Sequence, residues 1–388
     1  MKPEVMLQIN WPKSILYWTI LGAVAISAAI FIFSQSIYAN AVIESEQAQS
    51  DSIKISLSDP AFSGEKHAPI KVKGLYLTAY SAGNPAKMNE IINLINSTEL
   101  NSIVIDLKDY SGNILYKSDL PFVKKIGAED VRIKDLPGLI TNLKKHHIYV
   151  IARLSTFQDP LLAEKMNAWA LKTKTGALWR DKKGLAWVDP SEKQVWSYIV
   201  SVAKEAAQLG FDEINFDYIR FPTDGNLDQI VYKNDLKKYQ VIGDFFKYVS
   251  KEMSGVPVYL SADLFGLTTE RGGEDDMSIG QRLSDAVQYF DYVMPMVYPS
   301  HYPIGYMGYK NPADHPYEVV YHAMSKGEAQ AQGKKAKLRA WIQAFNIGAM
   351  YDGTKIRAEI KAADDAGADG WVLWNASNRY SADGILKK

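Results

Sequence analysis

Cysteine is absent from the 388 residues of this chain. The protein therefore forms no disulfide bond and cannot use a thiolate nucleophile. A cysteine-ligated zinc ion and a lipid anchor attached to cysteine are excluded for the same reason. Any chemistry must come from carboxyl, hydroxyl, imidazole, amine or guanidinium groups.

Several other patterns are missing. Acidic and basic residues balance at 44 each, without a basic block among aromatics, so nucleic acid is not a predicted partner. The six histidines form no HExxH motif, and no metal site is predicted. We interpret the acidic run at 274–276 as a solvated loop rather than a calcium site. Neither a GxSxG motif nor a glycine-rich phosphate loop after the first predicted strand occurs, and no cofactor is predicted.

The N-terminus contains a long apolar run. Residues 14–33, SILYWTILGAVAISAAIFIF, are uncharged and approach the roughly 20 residues that cross a bilayer. We interpret 1–13 as a cytoplasmic n-region, 14–36 as a signal peptide or transmembrane anchor, and 37–69 as a polar linker. The sequence ANA at 39–41 has the spacing of a signal-peptidase site, and an uncleaved anchor is equally compatible. Both interpretations predict an exported, extracytoplasmic protein, either anchored in the cytoplasmic membrane or secreted.

From residue 70 onward, short β-rich runs alternate with segments of helical period, which is the pattern of βα units around a parallel sheet. Eight strands over about 310 residues favour a (β/α)₈ TIM barrel as a single domain over 70–388, expected to be a monomer. The predicted strands are 73–80, 102–109, 148–157, 213–221, 256–266, 291–299, 338–345 and 370–377. The predicted helices are 85–96, 137–147, 191–209, 235–253, 279–289, 316–332 and 354–366.

Carboxylates occur near the ends of several predicted strands. In the fourth strand, Asp217 follows Ile214 and Phe216 in alternation, so it should face the barrel lumen together with Asn215. Asp263 holds the equivalent place on the adjacent fifth strand. Barrel enzymes place their catalytic groups at this end of the strands, and paired carboxylates are the minimum equipment for glycoside hydrolysis. The structural alternative is that Asp217 forms an ion pair with Arg153 or Arg220.

Other polar and aromatic residues should share this rim. Asp106 lies inside the second strand and Asp109 at its exit. Flat aromatic rings stack on the apolar faces of sugars, and tyrosine and tryptophan also donate hydrogen bonds. The predicted substrate-binding residues are Asp106, Asp109, Arg153, Asn215, Arg220, Tyr80, Trp187, Tyr298, Tyr302 and Trp374.

Seven stretches together resemble a known family. They are KGLYLTAYSAG (73–83), SIVIDLKDYSGNILY (102–116), IARLSTFQD (151–159), GFDEINFDYIRFPTDG (210–225), DLFG (263–266), DYVMPMVYPSHY (291–302) and GWVLWNAS (370–377). From about 70 to 380 the chain resembles the bacterial family of exported TIM barrels that is named for a putative glycosyl hydrolase domain. The strand-four motif is the most specific of the seven.

The resemblance implies a glycoside hydrolase-type barrel in which the strand-four aspartate, Asp217, is the nucleophile. Some relatives carry the acid on strand five, which would be Asp263, and others on strand six, where this chain has Tyr298 and no carboxylate. The expected function is cleavage of O-glycosidic bonds in an extracellular or cell-envelope polysaccharide, with a polysaccharide or oligosaccharide as partner. A non-catalytic glycan-binding barrel is the alternative. Transglycosylation would use the same residues with a different acceptor.

Overall fold

The computed structural model describes residues 62 and 64–388. The predicted segments 1–13 and 14–36, and most of the linker 37–69, lie outside these residues. Within the described part of the chain, no helix is long and apolar enough to cross a membrane.

The strands form one closed barrel with small additions. They are β1 (Val72–Leu77), β2 (Ser102–Lys108), β3 (Ile114–Tyr116), β4 (Glu129–Ile133), β5 (Tyr149–Ser155), β6 (Lys172–Thr173), β7 (Glu213–Asp217), β8 (Ile230–Val231), β9 (Tyr259–Phe265), β10 (Tyr292–Met296), β11 (Lys337–Leu338), β12 (Ala340–Gln343) and β13 (Gly370–Trp374). Eight of them pair in parallel in the order β1, β2, β5, β7, β9, β10, β12, β13, and β13 pairs again with β1. The predicted eight-stranded parallel barrel is confirmed.

Helices alternate with these strands on the outside. They are α1 (Ala79–Ala82), α2 (Pro85–Ser97), α3 (Pro121–Ile126), α4 (Leu136–Lys145), α5 (Pro160–Lys165), α6 (Lys193–Gln208), α7 (Lys238–Glu252), α8 (Leu283–Tyr289), α9 (Pro316–Ala331) and α10 (Gly353–Asp365). Local sequence explains several starts: Asn84, Asp135 and Asp352 accept backbone N–H groups at the beginnings of α2, α4 and α10. The seven predicted helices correspond to α2, α4, α6, α7, α8, α9 and α10.

The sequence did not predict the shorter elements, and some strand ends differ. The first strand ends at Leu77 because Thr78 caps α1, so Tyr80 lies in a helix rather than in the strand. The seventh predicted strand is interrupted at Arg339 and forms β11 and β12. Strand β6, which lies in the chain between β5 and β7, pairs with β8 in the loop after β7. Such short elements depend on contacts between distant loops rather than on local periodicity.

The strands separate an apolar outer layer from a polar lumen. Phe216 contacts the rings of Phe245 in α7 and Phe290, whereas the neighbouring Asn215 faces the lumen and donates to Asp263 on the adjacent strand β9. The alternation predicted for this strand is therefore confirmed. Deeper in the barrel, Arg339 and Glu213 form a fully buried ion pair of 2.9 Å. A buried pair of this kind is tolerated because each charge has its partner.

The N-terminal mouth of the barrel is crossed by the chain that precedes β1. Lys66 forms a 2.9 Å ion pair with Asp291, and the Tyr259 hydroxyl donates to the backbone oxygen of His67 over 2.5 Å. The polar lumen is thus covered at this end. The cavity described next lies at the opposite end of the strands, where barrel enzymes place their active sites.

Candidate active site

A cavity of about 150 Å³ lies at the C-terminal ends of the barrel strands. It collects side chains from β5, β7, β9, β10, β12 and β13 and from the segments that follow β7 and β10. The lining residues are Arg153, Asp217, Tyr218, Arg220, Asp263, Phe265, Met296, Tyr298, Trp341 and Trp374. The two predicted catalytic carboxylates therefore share one cavity.

Arg153 connects the acidic residues of this cavity. Strand register places it beside Asp106 on β2 and Asn215 on β7. Its Nη1 donates to Oδ1 of Asp106 over 2.6 Å, its Nη2 forms an ion pair with Oδ2 of Asp217, and its Nε lies 3.7 Å from Oδ2 of Asp263. Burial lowers the pKa of Arg153, but the charges of Asp217 and Asp106 outweigh this effect, and the pKa lies well above its ordinary value. One guanidinium thus neutralises part of a buried acidic cluster.

Asp106 lies beneath the cavity rather than in its wall. The Tyr76 hydroxyl donates to its Oδ2 over 2.5 Å, and Arg153 donates to its other oxygen. Burial raises the pKa of Asp106, while the charge of Arg153 opposes the increase. Asp106 therefore orients the guanidinium from behind.

Asp263 is almost completely buried, with 1% of its side chain exposed. Oδ1 accepts from Nδ2 of Asn215 over 2.8 Å and from Nε1 of Trp341 over 2.7 Å. Burial raises the pKa of Asp263 well above its ordinary value, and the charge of Asp217 raises it further. Arg153, Asn215 and Trp341 act in the opposite direction. Because Oδ1 already accepts two hydrogen bonds, Oδ2 is the oxygen suited to carry a proton.

A strained residue follows Asp217. Tyr218 has φ of 53°, in the left-handed region that residues other than glycine seldom occupy. In this conformation the Tyr218 N–H donates to Oδ1 of Asp217 over 2.5 Å. Strained backbone of this kind concentrates at functional sites. As a result, both carboxylate oxygens of Asp217 accept hydrogen bonds, Oδ1 from the Tyr218 N–H and Oδ2 from Arg153.

Aromatic rings form one wall. Trp374 stacks on Tyr76 with ring centroids 3.9 Å apart, and Trp341 meets Trp374 edge-on at 5.8 Å. The guanidinium carbon of Arg153 lies 5.2 Å from the ring centroid of Trp374. Trp374 remains partly exposed, so its ring can contact a ligand.

Arg220 closes another side of the cavity. Its guanidinium carbon lies 5.0 Å from the ring centroid of Trp187 and 5.1 Å from that of Phe265. Burial lowers the pKa of Arg220. The sequence-based ion pair between Asp217 and Arg220 does not form, because Arg220 Nη1 donates instead to the backbone oxygen of Phe221.

A second cavity, of about 300 Å³, adjoins the first. Phe265, Met296 and Tyr298 line both cavities. The full lining of this side cavity is Phe265, Gly266, Leu267, Met277, Met296, Tyr298, His301 and Tyr302. The predicted substrate-binding residues Tyr298 and Tyr302 thus meet in one place.

Five predicted substrate-binding residues line neither cavity. Two of them, Asp106 and Asn215, bind the cavity residues Arg153 and Asp263, and the other three lie further away. Tyr80 is 55% exposed in α1, with the Arg132 guanidinium over its ring. Asp109 accepts from the backbone and hydroxyl of Ser111 in a turn after β2. Trp187 is buried and supports Arg220 from behind. The sequence predicted Tyr80, Asp109 and Trp187 at the rim because they lie at or beyond the ends of predicted strands. In the structure the chain turns away from the lumen after each of these strands.

Five lining or supporting residues were not identified from the sequence: Tyr76, Tyr218, Phe265, Met296 and Trp341. Tyr76 lies on the same face of the predicted first strand as Tyr80, and Tyr218 directly follows Asp217. The sequence therefore contained enough information to identify both. Trp341, Phe265 and Met296 are apolar residues within predicted strands. Such residues usually pack in the core, so the sequence provided no reason to assign them to a site.

Residues 74–380 match the family described as "Putative glycosyl hydrolase domain", and the chain belongs to this family. The match covers the whole barrel and all of the cavity residues. No curated protein matches the chain.

Solved structures similar to this chain include the following three. A hypothetical protein from Ruminiclostridium thermocellum is 37% identical over 49% of this chain and 96% of that chain, with a TM-score of 0.46. The glycoside hydrolase domain of PgaB (BpsB) from Bordetella bronchiseptica is 13% identical, with 80% and 95% covered and a TM-score of 0.59. The α-galactosidase TtGalA from Thermus thermophilus is 10% identical, with 83% and 64% covered and a TM-score of 0.50. At 13% and 10% identity, the last two similarities show a common fold.

Proposed function

We propose that this member of the glycosyl hydrolase family cleaves O-glycosidic bonds, with Asp217 as nucleophile and Asp263 as acid and base. The observation that carries the proposal is the contrast between two carboxyl groups in one cavity. Asp217 is ion-paired with Arg153, whereas Asp263 is buried with a raised pKa. Two carboxyl groups in such different environments can divide the acid and nucleophile roles of glycoside hydrolysis.

Asp263 is suited to be the acid. A group that protonates the leaving oxygen must keep its proton near neutral pH, and burial together with the neighbouring negative charge has this effect. The hydrogen bonds from Asn215 and Trp341 hold Oδ1 in place and leave Oδ2 as the proton carrier. Although almost completely buried, Asp263 still lines the cavity and can reach a bound ligand.

Asp217 is suited to be the nucleophile. A carboxylate paired with a guanidinium is an anion, and the two donors, Arg153 and the Tyr218 N–H, fix its orientation. When the anion attacks, its charge is lost to the new ester bond. Once the ester has formed, Asp106 is still hydrogen-bonded to Arg153. It supplies the counter-charge that the buried guanidinium then needs.

The proposed reaction has two steps. Asp263 transfers its proton to the glycosidic oxygen, the bond between this oxygen and the anomeric carbon breaks, and a carboxylate oxygen of Asp217 bonds to the anomeric carbon. Asp263, now ionised, then takes a proton from water, whose oxygen attacks the anomeric carbon and releases Asp217. Both residues return to their starting states.

The substrate class follows from the walls of the cavity. Trp374 offers a partly exposed ring for stacking, and Arg153 and Arg220 offer donors for hydroxyl groups. These features suit an oligosaccharide or polysaccharide. The apolar segment 14–33 supports export, which would place the substrate in the cell envelope or outside the cell.

One observation favours a second candidate, a glycan-binding barrel without catalysis. Asp106, Asp217 and Asp263 all lie within ion-pair distance of the same guanidinium, so the cluster could serve only to hold sugar hydroxyls. In that case the carboxyl groups would contribute to affinity and not to bond cleavage.

Reducing-end release from a panel of polysaccharides and envelope glycans tests the proposal. The full-length chain is compared with Asp217→Asn, and Asp135→Asn serves as the control because Asp135 caps α4 through an Oδ1 that asparagine retains. Turnover by the wild type and the control, with a loss on the order of 10³-fold or more in Asp217→Asn, is expected. Unchanged turnover in Asp217→Asn would refute the mechanism. Glycan retention without release by any of the three would favour the binding function.

A further inference from the structure

The cavity with the carboxyl groups is too small to explain the whole site. At about 150 Å³ it is below the roughly 300 Å³ at which ligand pockets usually begin. The side cavity of about 300 Å³ continues from it across Phe265, Met296 and Tyr298. A sugar held at Asp217 and Asp263 would therefore extend a substituent into the side cavity.

The lining of the side cavity restricts that substituent. Phe265, Leu267, Met277 and Met296 present carbon and sulfur, and no Asp, Glu, Lys or Arg is among the described lining residues. A charged amine placed against these four side chains would lose its hydration without gaining a counter-charge. The chemistry of the wall favours an apolar group such as a methyl.

Two tyrosine hydroxyls add a polar element. Tyr302 is buried, and its hydroxyl has no hydrogen-bond partner within residues 62 and 64–388. A Cβ on Gly266 would lie 2.5 Å from the backbone oxygen of Met296 and 2.7 Å from this hydroxyl, so the backbone contact requires glycine here. Tyr298, which lies between the two cavities, is 6% exposed, and no hydrogen bond from its hydroxyl is found among the described residues. A buried hydroxyl such as that of Tyr302 normally has a partner.

The loop after β9 contributes a strained wall residue. Met277 and the following Ser278 have φ of 55° and 60°, both in the left-handed region. Two consecutive non-glycine residues in this region persist only where the surrounding structure holds them. The strain turns the chain so that Met277 lines the side cavity.

From these features we infer that the side cavity receives the acetyl group of an N-acetylated sugar. The inference rests on the proposed function, since it places the sugar ring at Asp217 and Asp263. The methyl group packs against Leu267, Met277 and Met296, and the carbonyl oxygen accepts a hydrogen bond from the hydroxyl of Tyr298. This assignment makes the enzyme selective for 2-acetamido sugars over plain hexoses and over free amino sugars.

Binding to the full-length protein tests this without any need for turnover. Isothermal titration compares N-acetylglucosamine and N-acetylgalactosamine with glucose, galactose and glucosamine. We expect the acetamido sugars to bind at least about tenfold more tightly, as a hydrogen bond and a buried methyl together would produce. Equal affinities within about threefold, or no binding of any of the five, would overturn the inference. Tighter binding of octyl glucoside than of N-acetylglucosamine would assign the cavity to an apolar aglycone and would also overturn it.

Two variants locate the preference. Tyr298→Phe removes the donor, and Leu267→Trp fills the side cavity from a half-buried position. Both should reduce the acetamido preference severalfold, measured as the ratio of the N-acetylglucosamine affinity to the glucose affinity. Tyr198→Phe is the matched control, because Tyr198 is also buried with an unpartnered hydroxyl but packs on Phe122, away from the cavities. A preference that survives in both variants would refute the inference.

The two proposals fail in different ways. An acetamido preference in binding without cleavage of any glycan would refute the hydrolase and leave the side cavity assigned. Cleavage restricted to glycans without acetyl groups would leave the hydrolase intact and overturn the inference.

Discussion

The indole Nε1 of Trp341 lies 2.7 Å from Oδ1 of Asp263 and links the seventh barrel strand to the fifth across the lumen. A donor to the ionised carboxylate lowers the pKa of Asp263 and so opposes the increase caused by burial. Trp341 therefore limits how far burial raises the pKa of Asp263. In the proposed mechanism it is a positioning residue, because it would act on the reaction through Asp263.

Trp341→Phe should move the alkaline limb of the pH–rate profile to higher pH. Without the indole donor the ionised form is less stable, so Asp263 keeps its proton to higher pH by about one unit. The measurement is kcat/KM against pH. Trp196→Phe is the matched control, since its Nε1 donates over the same 2.7 Å to Pro190, outside the cavity. An alkaline limb that does not move would contradict the role of Trp341.

Asp263→Asn should lose activity in a way that depends on the leaving group. Loss of the acid should lower kcat by about 10²- to 10⁴-fold on natural linkages, which need protonation to leave. Nitrophenyl glycosides leave as stable anions and should be affected far less. Equal losses on both substrate types would show that Asp263 is not the acid.

Arg153→Met should destabilise the fold, and more so at higher pH. Removing the cation leaves Asp106 and Asp217 buried without a counter-charge, which costs about 3–5 kcal/mol of unfolding free energy near pH 8. The pKa of Asp106, already raised by burial, then rises further, because the opposing charge of Arg153 is gone. A carboxyl group with a raised folded-state pKa loses its contribution to stability as pH rises through that value, so the cost should be smaller near pH 5.

Urea unfolding at the two pH values measures this difference. Arg132→Met is the control, because Arg132 is partly exposed, with the nearby Asp130 as its ion-pair partner and the exposed ring of Tyr80 beneath its guanidinium. Its effect should stay within about 0.5 kcal/mol at both pH values. A penalty for Arg153→Met that does not depend on pH would mean that the acidic cluster is not what the cation stabilises.

Trp374→Ala should weaken substrate binding. The ring lies in the wall of the cavity, and loss of an aromatic contact worth about 0.5–1.5 kcal/mol corresponds to a KM about twofold to tenfold higher. Trp374→Phe should preserve most of the affinity because it keeps a flat ring. Steady-state kinetics on the best substrate of the panel separates KM from kcat. An effect on kcat alone would argue against a stacking role.

Much of the barrel was predictable from the sequence. Apolar and polar residues alternate along the strand that holds Asn215 and Asp217, and sheet geometry sends alternate side chains to opposite faces. The same parity puts Asp263 in the lumen of the adjacent strand. Helix starts at Asn84, Asp135 and Asp352 follow from local hydrogen bonding. These features depend on residues close together in the chain.

Only the tertiary structure decided how the site is assembled. Arg153 and Asp106 were expected at the same rim as Asp217, but their direct contacts depend on the register of three strands. The bond from Trp341 to Asp263 joins residues 78 positions apart, and the left-handed conformation of Tyr218 has no sequence signature. Local pattern determines which face a side chain takes. Distances across the lumen and the shapes of the two cavities depend on how all eight strands close into a barrel. No single segment of the sequence contains that information.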